Sequence, residues 1–222
     1  MAKAPLPGKV KTRLVPHLSP MEAAEFADCL LKDRLAEMTA ADNCDCALAY
    51  SPADARAVFE ARCSSRFLLF PQADGDLGYR MHAIFRQKFA DGFGAVIIIG
   101  TDIPDLTESV VAEGFSQLVS EDTDLVLGPA RDGGYYLIGM KRPHHSLFKN
   151  MAWGTTKVLQ TTTDIARKEG IRTSFLDTLQ DIDTIQDVRS YYRRETDRRR
   201  AETSPASSAL SYLTRLSQQH KL

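Results

Sequence analysis

At 222 residues the chain is long enough to bury one sizeable core, and 43% hydrophobic with 26% charged residues is ordinary for a soluble globular domain. A formal net charge of -1 leaves no global basic field for a nucleic acid or an anionic membrane surface. The longest apolar runs fall far short of a membrane span and no signal-peptide core opens the chain, so a cytoplasmic protein is expected.

The chain opens on Lys3-Ala-Pro-Leu-Pro-Gly-Lys-Val-Lys-Thr-Arg13. Pro5 and Pro7 exclude regular helix or strand there, which makes it a loop carrying Lys3, Lys9, Lys11 and Arg13. Such cations converge on phosphate oxygens when Gly8 lets the backbone come close; otherwise they form a solvated basic arm. Ser19-Pro20-Met21-Glu22 has capping-box form and predicts a helix over about 20–40, with Leu30, Leu31, Leu35 and Met38 on its packed face. A strand over 45–50, a helix over 53–62 and a strand over 66–70 follow in βαβ-like alternation. The four cysteines, Cys29, Cys44, Cys46 and Cys63, have no C-x-x-C spacing, so reduced thiols are expected rather than zinc or disulfides.

Residues 72–81 form a polar, glycine-containing loop running into a helix. Arg80 either reaches a ligand's phosphate or carboxylate, or sits in a surface ion pair behind Asp76 as N-cap. Val96-Ile-Ile-Ile99 has no polar alternation and fits a strand buried on both faces. It ends at Gly100 and delivers Asp102 to the carboxyl edge of the sheet, where parallel sheets bind ligands. There Asp102 serves as a metal ligand, or else caps the helix expected over 107–119.

A strand over 124–128 leads to Arg131-Asp132-Gly133-Gly134, which is a hairpin corner, alone or with a carboxylate and bare amides facing a pocket. Tyr135 and Tyr136 then start a strand on opposite faces. Trp153, the sole tryptophan, lines an acceptor pocket or covers the core, ahead of a helix expected from Thr155 or Thr156 to Gly170. After a strand over 172–176, Asp181-Ile-Asp-Thr-Ile-Gln-Asp187 offers Asp181 and Asp183 as metal candidates, with Asp187 in a capping box with Thr184. From Arg193 the sequence becomes highly charged, then Thr203-Ser-Pro-Ala-Ser-Ser208 reads as a flexible linker. Leu210, Leu213 and Leu216 mark a short docking helix or a disordered end. The expected division is a domain over 1–195 and a tail over 196–222.

Five motifs in order, Lys3-Ala-Pro-x-Pro-Gly-Lys-Val-Lys-Thr-Arg-Leu14, Gly-Asp-Leu-Gly-x-Arg-Met81, Gly-Thr-Asp-x-Pro-x-Leu106, Gly-Pro-x-x-Asp-Gly-Gly-Tyr-Tyr-Leu137 and Asp-x-Asp-Thr-x-x-Asp187, resemble a bacterial family. It is DUF2064, also called radical-SAM/selenodomain-associated transferase 1, within the nucleotide-diphospho-sugar transferases. The resemblance implies an α/β, Rossmann-like, three-layer fold of glycosyltransferase A type with a mostly parallel central sheet. It implies that Gly8, Lys9, Lys11 and Arg13, with Lys3, Pro7, Gly78, Arg80 and Thr101, bind nucleotide phosphates. Asp102 and Asp183 are then ligands for Mg²⁺ or Mn²⁺, and Asp102 and Asp132 the catalytic pair. Gly133, Gly134, Tyr135 and Trp153 face the substrate. In one respect the chain departs from the family, which has an apolar strand before the Lys-Ala-Pro motif. Here only Met1 and Ala2 precede Lys3, so the expectation is a start assigned too late or a shortened strand with a weakened pocket.

The chemistry so implied is glycosyl transfer from a nucleotide-sugar to a small-molecule acceptor, with the cation neutralising the departing diphosphate. Two rivals stand beside it: nucleotidylyl transfer from a nucleoside triphosphate to a phosphorylated small molecule with loss of pyrophosphate, and nucleotide binding without turnover. Neither a nucleic-acid nor a membrane partner is expected. No motif distinguishes monomer from homodimer.

Overall fold

The computed structural model describes residues 1–15, 17–41, 44–199 and 206–222. Its strands are β1 (Ala2–Lys3), β2 (Cys46–Ser51), β3 (Phe67–Pro71), β4 (Val96–Ile99), β5 (Leu125–Pro129), β6 (Tyr135–Met140) and β7 (Thr173–Phe175). The helices are α1 (Pro20–Thr39), α2 (Arg56–Glu60), α3 (Leu77–Ala90), α4 (Glu108–Val119), α5 (Val158–Lys168), α6 (Ile185–Arg199) and α7 (Ser208–Gln218). All four cysteines are free. No helix among the described residues is long and apolar enough to cross a membrane.

The strands form two sheets rather than one continuous sheet. The first has the order β1-β2-β3, all parallel; the second has the order β4-β6-β5-β7, with β6 antiparallel to both β4 and β5. As expected, β4 is apolar because both of its faces are covered. Ile98 packs with Ile84 and Phe85 of α3, whereas Ile97 and Ile99 pack with Val111 and Leu118 of α4. The three-layer arrangement follows from that alternation.

β1 is short: only Ala2 and Lys3 pair with β2, opposite Tyr50 and Ser51. The Tyr50 carbonyl accepts from Gln72 N on the β3 side, so Ala47 and Ala49 turn their backbone groups the other way. Gly100 N likewise donates to Tyr136 O on the β6 side, which turns Ile97 and Ile99 toward β2. Between those two edges lies an apolar cavity of about 160 Å³ lined by Ala47, Ala49, Phe70, Ile84, Ile97 and Phe115. The Met1 ammonium closes its end by donating to Ile99 O at 2.8 Å. Burial lowers the pKa of that ammonium to about 6, against the opposing pull of Asp102.

Local signals account for most element ends. Ser19 and Glu22 form the reciprocal capping box ahead of α1. Asp76 accepts from Tyr79 N at 2.8 Å and caps α3. α5 begins at Val158, later than the expected Thr155 or Thr156, because Thr155 Oγ1 instead donates to Ala152 O at 2.8 Å and holds the preceding turn. α7 docks: Leu213 and Leu216 share a core with Phe26 and Leu30 of α1, and Asp33 accepts from Ser208 N and Ala209 N. Of the linker expected over 203–208, residues 203–205 lie outside the described residues.

Candidate functional site

Three chain segments meet at the carboxyl edge of β4. The loop after β4 is fixed from below by Arg34, a buried residue of α1 whose guanidinium donates to the carbonyls of Ile103 and Leu106. Asp102 O accepts from Ile182 N at 3.1 Å, which sets the segment before α6 beside the β4 loop. Asp187 then accepts from Thr184 N at 2.7 Å while Asp187 N donates back to Thr184 Oγ1, so α6 starts in a capping box that leaves Asp183 free to turn inward.

The third segment is the basic loop. Lys11 Nζ lies 3.0 Å from Asp102 Oδ2 and 3.0 Å from Asp183 Oδ1, with Arg13 Nη1 3.3 Å from Asp183 Oδ2. The Lys11 side chain is only 8% exposed. Burial opposes its charge, but Asp102 and Asp183 outweigh that and raise its pKa above the ordinary value. Burial pushes the Asp102 carboxyl up, and Lys11 outweighs it to hold the pKa below the ordinary value. Lys11 also holds a left-handed backbone, φ 45°, uncommon for a residue with a side chain.

Two cavities share this point. One, of about 240 Å³, is basic and is bordered by Lys3, Lys9, Lys11 and Thr101. The other, of about 390 Å³, is bordered by Asp132, Asp181, Tyr135, Trp153, Leu77 and Met81. Asp102 and Asp183 border both. Within the second cavity, burial, then Asp132 and Asp183, raise the Asp181 pKa to about 6.

Backbone shape supports the aromatic wall. Trp153 lies on Gly78, where a Cβ would stand 2.5 Å from the indole ring, and meets Tyr135 edge-on at 6.5 Å between ring centroids. Its indole N–H has no hydrogen-bond partner among the described residues. Gly133 has φ +90°, and a Cβ there would stand 2.2 Å from Thr156 O. That close crossing brings the segment before α5 against the Asp132 corner, with Gly133 O accepting from Leu159 N at 2.9 Å.

Against this geometry, the sequence matches the family described as "Uncharacterized protein conserved in bacteria (DUF2064)" over residues 34–155. The chain belongs to the DUF2064 family. Its fold is that of the nucleotide-diphospho-sugar transferases. A crystal structure from Desulfovibrio desulfuricans G20, of a protein provisionally named a nucleotide-diphospho-sugar transferase, is 30% identical. It superposes with a TM-score of 0.88, over 98% of this chain and 93% of that one. No curated protein matches the chain.

In this DUF2064 protein, the structure brings together Lys3, Lys9, Lys11 and Thr101 on the basic side, and Asp132, Gly134, Tyr135 and Trp153 on the other. Asp132 accepts from Gly134 N at 2.8 Å while bordering the cavity, so the corner is both a turn and part of the cavity wall. Other residues expected at the phosphates are placed elsewhere. Arg80 donates to Gly75 O at 2.8 Å and borders neither cavity; Gly78 is the seat of Trp153. Pro7 and Gly8 shape their loop without bordering either cavity, and Gly133, expected to face the substrate, borders neither. Arg34 escaped notice because an arginine among the apolar positions of an amphipathic helix reads as a solvated residue. The signal was its position, one turn before Met38 on the packed face of α1.

The residues also bear on the divalent cation that the family resemblance implies. Asp102 and Asp183 converge on a single point, now held by an ammonium, and both are hard oxygen donors. Among the described residues no three His, Cys, Asp or Glu side chains form a ready cage. Two carboxylates completed by substrate phosphates is a usual Mg²⁺ arrangement, and the residues fit it.

Proposed function

We propose that this DUF2064 protein is a divalent-metal-dependent transferase that moves a glycosyl group from a nucleotide-sugar to a small-molecule acceptor. The observation that carries this reading is the pair of cavities, one cationic and one aromatic and acidic, joined at Asp102 and Asp183. Lys3, Lys9 and Lys11 take the diphosphate of the donor, with Lys11 turning from the carboxylates to phosphate oxygens. Asp102 and Asp183 would hold Mg²⁺ or Mn²⁺, which neutralises charge on the departing diphosphate. In the second cavity Asp132 orients the acceptor hydroxyl and takes its proton as the oxygen bonds to the anomeric carbon. The bond from that carbon to the diphosphate oxygen breaks, and the nucleoside diphosphate leaves. The lysines add electrostatic stabilisation to the same group.

Three ammonium groups around one cavity also suit a triphosphate, which favours nucleotidylyl transfer as the second reading. The products separate the two: a free nucleoside diphosphate marks glycosyl transfer, pyrophosphate marks the alternative.

The first test is a thermal-shift screen of nucleotide-sugars and nucleoside triphosphates, with and without Mn²⁺, on the parent and on Asp102→Asn. A ligand at about a hundred times its dissociation constant adds roughly 2.7 kcal/mol of stability. The expected result is a Mn²⁺-dependent shift absent from Asp102→Asn. No shift with any nucleotide would overturn the transferase reading.

A further inference from the structure

The two cavities differ in the charge they tolerate. The basic one has its carboxylates, Asp102 and Asp183, compensated by Lys11 and Arg13. In the larger one, Asp132 and Asp181 stand without a lysine or arginine among the residues bordering the space. Trp153, Tyr135, Leu77 and Met81 border the same space, so acidic groups and apolar, aromatic groups share its lining. The indole N–H of Trp153 is buried without a hydrogen-bond partner among the described residues.

We infer that the acceptor is an uncharged or cationic hydroxyl compound with an apolar face, and that Asp132 and Asp181 exclude phosphorylated and carboxylated acceptors from the larger cavity. This rests on the reading of that cavity as the acceptor side of the transferase. Carboxylates accept hydrogen bonds from hydroxyl groups and repel oxyanions, and in a partly desolvated site the repulsion is strong. Aromatic rings cover the C–H face of a polyol ring while the hydroxyl edge meets the carboxylates. A phosphate monoester here would bring two negative charges against Asp132 and Asp181, with no arginine or lysine among the lining residues to receive them. Selectivity of this kind works by rejection as well as by attraction. It also separates the two transferase readings, because nucleotidylyl transfer requires a phosphorylated acceptor.

The single tryptophan makes the test direct, since Trp153 emission reports on this cavity alone. The probes are methyl glucoside, inositol and glycerol, each paired with its phosphate monoester, titrated into the full chain. The expected result is a saturable change in Trp153 emission with at least one neutral probe and at least tenfold weaker binding of its phosphate ester. In Asp132→Asn and Asp181→Asn, which keep the side-chain shape, that gap should narrow. Phosphate esters binding as tightly as their neutral partners, or neutral probes leaving Trp153 unchanged, would overturn the inference. Because emission is read without nucleotide, the outcome is independent of the nucleotide screen. A failure of the donor reading therefore shows in the thermal shift, and a failure of the acceptor inference in the fluorescence.

Discussion

Lys11→Met removes the ammonium that lies between Asp102 and Asp183 while keeping most of the apolar stem. Breaking a fully buried ion pair from one side costs about 3–5 kcal/mol. Here the lysine side chain is 8% exposed but the two carboxylates are 44% and 35% exposed, so water takes up part of the repulsion. The loss should be about 2 kcal/mol, or roughly 4–8 °C in Tm for a chain of 222 residues. The linkage has a definite sign. Asp102 has its pKa lowered on folding, so its contribution is present above about pH 4 and lost as pH falls further. Lys11 has its pKa raised, so its contribution is full below about pH 10.5 and lost as pH climbs through the folded value. The difference in Tm between parent and variant should thus be flat from about pH 7 to 10, above the values of about 6 for Asp181 and the Met1 ammonium, and shrink toward the acid and alkaline limits. Added Mn²⁺ should stabilise the variant at about a tenth of the concentration the parent needs, because no ammonium has to be displaced from the carboxylates. Thermal unfolding followed by circular dichroism reads both effects. A Tm within 1 °C of the parent at pH 7, or identical Mn²⁺ titrations, would refute the reasoning.

Gly133→Ala places a methyl group 2.2 Å from Thr156 O at φ +90°. A loss of about 2–3 kcal/mol in urea unfolding is expected, with a shift in Trp153 emission as the segment before α5 moves. Arg34→Met leaves the carbonyls of Ile103 and Leu106 without their buried donor and should cost about 2–3 kcal/mol. Its Mn²⁺-dependent nucleotide shift should fall as well, and an unchanged shift would show that Arg34 does not position the Asp102 loop. Amide exchange should be faster at Ala47 and Ile97, which face the cavity between the sheets, than at Leu127 and Ile138, which are paired within the second sheet. Equal protection at all four would contradict the separation of the sheets.

Much of this was legible from the chain itself. β4 declared itself through unbroken β-branched residues, and α1 through a capping box that the structure reproduces atom for atom. Asp102 could be placed at a strand end because a glycine and a proline bracket it. What spacing could not convey was convergence across long separations. Lys11 and Asp183 are 172 positions apart, and contacts such as the Ile182 to Asp102 backbone bond, the grip of Arg34 and the Arg194–Asp105 ion pair bring their segments together. Gly78 and Arg80 are ambiguous for the opposite reason. A glycine-rich loop beside an arginine looks the same in one dimension whether it receives a phosphate or an indole ring.

The division of the strands into two sheets gives the substrates a mechanical part to play. The basic loop grows out of β1, on the first sheet, whereas the Asp132 corner and the Trp153 segment belong to the second. A donor held by the lysines and an acceptor held by Trp153 would therefore be gripped from different sheets, which the two-residue β1, the Met1 contact, the Lys11 bridge, the Arg34 grip on the β4 loop and shared apolar packing already join. When both sites are filled, the reacting pair itself becomes a tie between the halves.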